Sequence, residues 1–264
     1  MNRDKGVAVI GALWVAADAE PAAGPVELET VTVTATKTEH SVFEVAGSVS
    51  MVAAETIEAE QPQGLDDILK ALPNIELFSG PRRLGEEANI RGFSDGRIVT
   101  TLDGARQNFS IGHQGRFVLE PDLFKQVEVY RGANSALYGS SALGGVIALT
   151  TKGPSDLLEP AEALGARLKG GFQSVNDEWL GSLAVFGRLG PALEYLGHFS
   201  YRDSSDIKLG NGEILADSAE RSITGSGKLY WRPPPYHKLR ASILELFDAG
   251  GGLILQIFGK HKPG

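Results

Sequence analysis

The chain has no cysteine among its 264 residues. That excludes disulfides, thiolate zinc sites, iron–sulfur clusters and cysteine nucleophiles. It also lacks a surplus of basic charge. Its 25 Lys+Arg face 33 Asp+Glu, for a formal net charge of −8, and no basic run stands out. An acidic chain without clustered Lys and Arg is a poor partner for a phosphate backbone, so nucleic acid is not expected. No stretch reaches the roughly 18–20 continuous apolar residues of a transmembrane helix. Membrane-spanning β-structure stays open, because its signal per strand is weak. Glycine, by contrast, is plentiful at 33 residues.

The N-terminus reads as an export signal over residues 1–19. Arg3 and Lys5 precede an apolar run from Val7 to Ala17, and Ala17-Asp18-Ala19 supplies small residues for cleavage. The competing reading is a short buried segment. Residues 20–40 form a flexible N-terminal stretch, rich in Pro, Ala and Gly up to Leu28. Within it Glu29, Thr30, Val31, Thr32, Val33, Thr34 and Ala35 are rich in β-branched residues, which favour an extended backbone. Such a segment can add to another protein's sheet edge, although pattern alone favours an ordinary first strand.

Residues 41–155 read as a compact α+β unit. Strands are expected at Ser48–Val52, Asn74–Phe78, Asn89–Arg91, Arg97–Leu102, Gln126–Tyr130 and Val146–Thr151. A helical turn or two spans Ala53–Glu60. Leu65, Ile68, Leu69 and Leu72 recur at helical spacing ahead of Pro73. Asp103-Gly104 is a hairpin turn signal. No Rossmann-type βαβ repeat is present.

After Pro160 the pattern becomes a series of alternating segments: Arg167–Gln173, Gly181–Arg188, Glu194–Tyr201, Thr224–Trp231 and Leu239–Leu246. In the second, Leu183, Val185 and the preceding Trp179 share one face, against Ser182, Ala184, Phe186 and Arg188. Short turns such as Leu189–Ala192 alternate with the long polar stretch Arg202–Ile223. Tyr195, Tyr201, Tyr230 and Trp231 sit near segment ends. This is the layout of an outer-membrane β-barrel with aromatic girdles, although periodicity alone also suits a soluble antiparallel sheet.

Three blocks together resemble the TonB-dependent outer-membrane receptors. Glu29–Ala35 resembles the TonB box, the strand that pairs with TonB. Leu65-Asp-Asp-Ile-Leu-Lys-Ala-Leu-Pro-Asn-Ile75, then Asn89-Ile-Arg-Gly-Phe93 (with Arg91 and Gly92) and Leu102-Asp-Gly104 (with Asp103 and Gly104), resemble the first half of the plug domain. Val127–Ile147 resembles the closing signature of the plug, carried here by Glu128, Arg131, Gly132, Tyr138, Gly139, Gly144 and Gly145. The resemblance implies an α+β plug domain followed by an incomplete antiparallel transmembrane β-barrel of about five strands. It implies TonB as partner, force on the N-terminal strand as the drive, and outer-membrane lipid around a completed barrel. Arg91, Arg131, Glu128 and Asp103 are then expected as ion-pair partners against a polar lumen, and the four closing-signature glycines as turn residues.

Asp103-Gly-Ala-Arg-Gln-Asn108, Ile111-Gly-His113 and Pro121–Val129 are similar to the haem/haemoglobin and transferrin/lactoferrin receptor branch. That similarity implies His113 as an axial ligand of haem iron, with the second ligand from a barrel loop farther downstream. Neutral imidazole suits that role, and pattern alone equally suits a surface histidine. Haem, a haem-carrying protein or another iron complex would be the transported ligand. No intrinsic cofactor and no other metal site is expected.

Enzyme readings find no support. Gly139–Gly145 has P-loop glycine spacing, but Gly145 stands where Lys is required. His40, His113, His198, His237 and His261 show no metal-ligand spacing, and no nucleophile elbow with an identifiable partner occurs. Length argues for a partial barrel. A 22-stranded plugged barrel at about 9–11 residues per strand needs roughly 200–240 strand residues. Only 264 − 160 = 104 residues follow Pro160. The expectation is a truncated, frame-shifted or fragmentary chain: strands over residues 160–247, an aberrant tail over 248–264, and no transport by this chain alone. Its expected place is the outer membrane of a Gram-negative bacterium, or the periplasm if it stays unassembled. The alternatives are a self-standing periplasmic plug-like binding protein and a siderophore receptor. A signalling variant lacks room for its extra N-terminal domain.

Overall fold

The computed structural model describes residues 13–14, 32–33, 40–41, 48–78, 87–107, 120–232, 238–248 and 252–260. They fall into two units, Asp18–Lys152 and Gly153–Gly264 together with Met1–Ala17. Near the N-terminus lie three two-residue strands, β1 (Leu13–Trp14), β2 (Thr32–Val33) and β3 (His40–Ser41).

The 18–152 unit continues with β4 (Ser48–Ala53), α1 (Ala54–Glu60), α2 (Leu65–Lys70), β5 (Ile75–Phe78), β6 (Glu87–Ile90), β7 (Ile98–Leu102), β8 (Ala105–Gln107), β9 (Phe124–Arg131), α3 (Ser135–Tyr138) and β10 (Gly145–Thr151). A five-stranded sheet in the order β4-β9-β10-β7-β8 is its frame. Only β10 and β7 run parallel; the other neighbours are antiparallel. The central strands are buried on both faces, which is why Gly145–Leu149 lacks alternation. Val127, Val129, Val146 and Leu149 from the sheet and Ile57, Ile68 and Leu69 from the helices are buried.

Helix α2 buries Leu65, Ile68 and Leu69, as the spacing predicts. Asp66 and Asp67 lie in its first turn and Lys70 in its last, each at the favourable end of the helix dipole. Asp67 accepts from the Gln63 amide at 2.8 Å. The helix stops at Lys70, short of Leu72, whose N–H bonds Leu69 O in a tighter turn. Pro73 explains this, since a residue before proline is driven out of the α region.

The second unit holds β11 (Leu164–Gln173), β12 (Glu178–Leu189), β13 (Leu193–Ser204), β14 (Ile207–Lys208), β15 (Ile214–Leu215), β16 (Glu220–Trp231), β17 (Lys238–Asp248) and β18 (Gly252–Lys260). The sheet order is β1-β11-β12-β13-β16-β17-β18, all antiparallel and not closed. Leu13 and Trp14, from the expected export signal, pair with Leu168 and Arg167. The tail does not break the pattern: Gly252–Lys260 pairs with β17 from Leu246↔Gly252 to Lys238↔Lys260. Its apolar Leu-Ile-Leu and Ile-Phe content suits an added strand, and it gives β17 a partner along its second edge. The 160–247 region therefore runs on into a sixth long strand.

Candidate functional site

The two units carry different chemistry. In the 18–152 unit the expected signature residues converge on the sheet rather than on one pocket. Arg131 ends β9 and is 4% exposed. Its Nε donates to Pro73 O at 2.9 Å, just past α2, and Nη2 donates to Ser50 Oγ at 2.9 Å, with a longer contact from Nη1 to Ser48 Oγ at 3.4 Å. One guanidinium thus ties the edge strand β4 and the end of α2 to the sheet. Burial, and then the nearby Arg91 charge, lower the Arg131 pKa. These acceptors are neutral backbone and hydroxyl oxygens of its own unit.

Glu128 is fully buried and accepts from Gln126 Nε2. Asp103, in a left-handed conformation at φ 49°, caps the opposite end of the sheet. Its carboxylate accepts from Thr151 N at 2.8 Å and Thr151 Oγ1 at 2.6 Å. Asp103 and Gly104 (φ 87°) make the β7–β8 turn that the sequence signals. Lys152 Nζ pairs with Glu58 on α1 at 2.5 Å.

Gly144 and Gly145 have separate reasons to lack a side chain. A Cβ on Gly144 would overlap the Phe93 Cβ; one on Gly145 (φ 156°) would overlap Tyr130 O. The first glycine is required for close approach, the second for both approach and backbone conformation. Gly132 (φ 112°) and Gly139 (φ 79°) occupy turns, as expected. Tyr138 is half-buried beside Val99, Ala142 and Val146. Burial, and then the Glu128 charge, raise its pKa.

In the second unit the exposed side of the sheet carries large apolar side chains, and the buried side mixes polar and apolar ones. Along β12 and β13 the buried side includes Glu178, Ser182, Glu194, His198, Ser200 and Arg202 together with Leu180, Ala184, Phe186 and Leu196, the last three packed with Leu158. The exposed side includes Trp179, Leu183, Val185, Leu189, Phe199 and Tyr201. Leu183 sits opposite Phe199, and Leu189, Leu193 and Trp231 form a row near one end. The faces of β12 are those read from the sequence. Aromatics lie toward both ends of the exposed side: Trp179, stacked at a tilt on Phe172 with centroids 4.8 Å apart, and Trp231 at the other, whereas Tyr230 is half-buried opposite Glu194. An exposed apolar side with aromatics near its ends and ion pairs on the other side is the pattern of a β-barrel wall.

The buried polar face is internally paired. Arg202 and Glu178 form an ion pair with side chains 3% and 4% exposed, and Asn176 Nδ2 donates to Glu178 Oε2 at 3.3 Å. Ser182 Oγ and His198 Nε2 lie 3.0 Å apart. At the other end Glu194 holds Arg188 at 3.2 Å and Arg232 at 2.9 Å. The long 205–219 connection contains the β14–β15 hairpin, whose base is set by Asp206 accepting from Ser218 N and Ala219 N. Lys208 N bonds Val175 O at 3.0 Å, and Ser205 N bonds Asn176 O at 2.8 Å. The long loop thus rests on the tight β11–β12 turn of the same sheet.

Of the other expected site residues, His113 lies outside the described residues, as do Glu29, Thr30, Val31, Thr34 and Ala35. Thr32–Val33 pairs with His40–Ser41 as a short antiparallel ladder. Arg91 is exposed with φ 53°, and Gly92 has φ 84°. Sequence reasoning missed Ser48, Ser50 and the Pro73 carbonyl as partners of Arg131, and Glu178 with Arg202. The alternation placing Leu180 and Ser182 inward also places Glu178 inward, so the second pair had a legible signal; a contact between Arg131 and Pro73, 58 residues away, had none.

Residues 41–146 match the model of the TonB-dependent Receptor Plug Domain family. Among curated proteins, the chain is 32% identical over 207 residues to heme/hemopexin utilization protein C of Haemophilus influenzae, covering 78% of this chain and 28% of that protein. It is 32% identical to the hemin receptor of Yersinia enterocolitica over 81% of this chain and 31% of that protein. Among solved structures, a double mutant of the Serratia marcescens hemophore receptor HasR, in complex with its hemophore HasA and heme, aligns with a TM-score of 0.70. The alignment has 25% identity and covers 78% of this chain and 32% of that one. The chain therefore spans about three tenths of the length of the curated relatives it matches.

Proposed function

The chain belongs to the TonB-dependent receptors, and from that premise we propose that it is the plug and first barrel strands of an outer-membrane receptor for haem uptake. The observation that carries this reading is the pairing of a plug-family unit with a sheet whose apolar face points outward and whose buried face holds Glu178–Arg202 and Ser182–His198. The relatives named for heme and hemin support haem over another iron complex.

In this reading haem, free or delivered by a carrier protein, is taken from outside the cell. His113 supplies one axial imidazole, and a neutral imidazole nitrogen binds haem iron directly. The Glu29–Ala35 segment pairs as a strand with TonB, using main-chain hydrogen bonds. Tension on it rearranges the plug. The lipid of a Gram-negative outer membrane surrounds the exposed face.

A haem titration of the full chain in detergent tests this. The expected result is a Soret band shift in the wild type that is lost in His113→Ala. An unchanged shift in the variant removes His113 as ligand. No shift in the wild type removes haem.

A further inference from the structure

The chain passes from one unit to the other between Lys152 and Gly153, and it is fastened on both sides of that bond. On the plug side, Lys152 N donates to Leu123 O at 2.7 Å and Lys152 Nζ pairs with Glu58 at 2.5 Å. On the other side, Gly153 N donates to Asp156 Oδ2 at 2.7 Å, which closes a single turn over Pro154–Asp156. A Cβ on Gly153 would overlap the Tyr230 ring of β16, so the backbone lies flat against that side chain.

The following residues stay on the same sheet. Leu158 N donates to Pro154 O at 3.1 Å. The Leu158 side chain is buried among Ala184 and Phe186 of β12 and Leu196 of β13, with Leu157 packed beside them. It covers an apolar patch on a side of the sheet that is otherwise rich in polar groups. A second turn closes where Glu162 N donates to Glu159 O at 3.0 Å and the Glu162 carboxylate accepts from Glu159 N at 3.2 Å. Arg188 of β12 then holds the segment twice. Its Nη1 donates to Pro160 O at 3.3 Å, and its backbone N donates to Ala163 O at 2.7 Å. Pro154 and Pro160 reduce the freedom that the segment gives up on seating. β12, β13 and β16 each have a strand on both sides within this chain, so strands added at the edges of the sheet would lie elsewhere.

From this geometry we infer that residues 153–163 are a clasp and not a slack linker. The chain leaving β10 is locked onto the buried side of the wall, with Leu158 as the knob, Gly153 as the flat contact and Arg188 as the catch. The boundary between parts that open separately then falls at Lys152–Gly153. Under the proposed tension, rearrangement of the plug runs up to Lys152 and leaves 153–163 seated. That consequence rests on the transport reading; the clasp does not.

Hydrogen exchange of the full chain in detergent, followed as denaturant is raised, tests the clasp. The amides of Leu157, Leu158 and Glu162 are expected to open together with β12 and β13 and not with β9 and β10. Leu158→Ala should speed exchange over 157–162 by about tenfold or more, as the loss of a buried leucine side chain does, with the β12–β13 ladder unchanged. Gly153→Ala should act in the same direction through the Tyr230 overlap. Ser155→Ala, at an exposed position, should stay within about twofold. Exchange over 157–162 that follows β9 and β10 in the wild type overturns the clasp. So does one common opening of plug, segment and wall, or a wild-type rate in Leu158→Ala. The measurement uses no haem, so a failed haem titration leaves the clasp standing, and a failed exchange test leaves the haem reading standing.

Discussion

Arg131 Nε donates to the Pro73 carbonyl across 58 positions of sequence, at 2.9 Å. The bond closes the exit of α2 onto the last residue of β9, and the same guanidinium reaches Ser50 on β4. Arg131→Met removes these bonds and leaves the acceptors under-satisfied in a buried setting. The expected cost is about 2–4 kcal/mol. Faster amide exchange in β4 and around Pro73, with the sheet of the other unit unaffected, is the measurement. Arg131→Lys recovers little, because an ammonium cannot span the same acceptors.

Gly145→Ala and Gly144→Ala should each destabilise the plug by about 2–5 kcal/mol, through overlap with Tyr130 O and Phe93 respectively. Gly96 has open space around it, so Gly96→Ala is the control and should stay within about 0.5 kcal/mol. Protease susceptibility of the three variants ranks them.

The Glu178–Arg202 pair predicts non-additivity. Arg202→Met strands a buried carboxylate and should cost about 3–5 kcal/mol, whereas Arg202→Met with Glu178→Leu should recover most of the loss. Denaturant midpoints of the full chain in detergent, compared across the double-mutant cycle, decide it. Simple addition of the two single effects would contradict the pairing.

Phe199 faces outward at 50% exposure, opposite Leu183. Phe199→Arg should weaken insertion into lipid vesicles by about 2–4 kcal/mol, as expected for a charge at the bilayer midplane. Trp231→Arg, at the aromatic end, should cost only about 0–1 kcal/mol. Equal penalties at the two positions would mean that this face does not lie in a bilayer.

Tyr138 should ionise above the ordinary 10.0 of a phenol, because burial and then Glu128 disfavour phenolate. The linkage follows. Below pH 10.0 the phenol is protonated in both folded and unfolded chains, and no penalty arises. Above it the unfolded chain releases its proton first, so stability falls as pH rises, until the folded pKa is passed. The difference in ultraviolet titration between wild type and Tyr138→Phe isolates this group among the six tyrosines.

Much of the plug was legible because its signals are local. The Leu65–Ile68–Leu69 spacing, the Asp103-Gly104 turn and the runs around Val129 and Ile147 lie close to the observed α2, β7–β8 turn, β9 and β10. Boundaries moved where a neighbour decided them, as Pro73 did for Leu72. The barrel strands were read from alternation and came out longer, β12, β13 and β17 at both ends and β11 and β16 at their starts, since ladder pairing extends past the apolar positions that mark a strand in sequence. In the 248–264 tail Leu253-Ile-Leu255 does not alternate, so its pairing with β17 carried no periodic signal. The partners of Arg131 were not legible, because three stretches must fold together before its acceptors are near one another.

Among the described residues β4 stands at the rim of its sheet and pairs with β9 alone, from Ser48↔Arg131 to Ala53↔Gln126. A load applied to the chain ahead of Ser48 therefore falls on a strand that can detach without parting any other ladder. The first side-chain fastening at that rim is the guanidinium of Arg131. Once it lets go, the β9-β10-β7-β8 remainder is still a complete four-stranded sheet, so the seam that yields first is also the one whose repair needs no refolding of the rest.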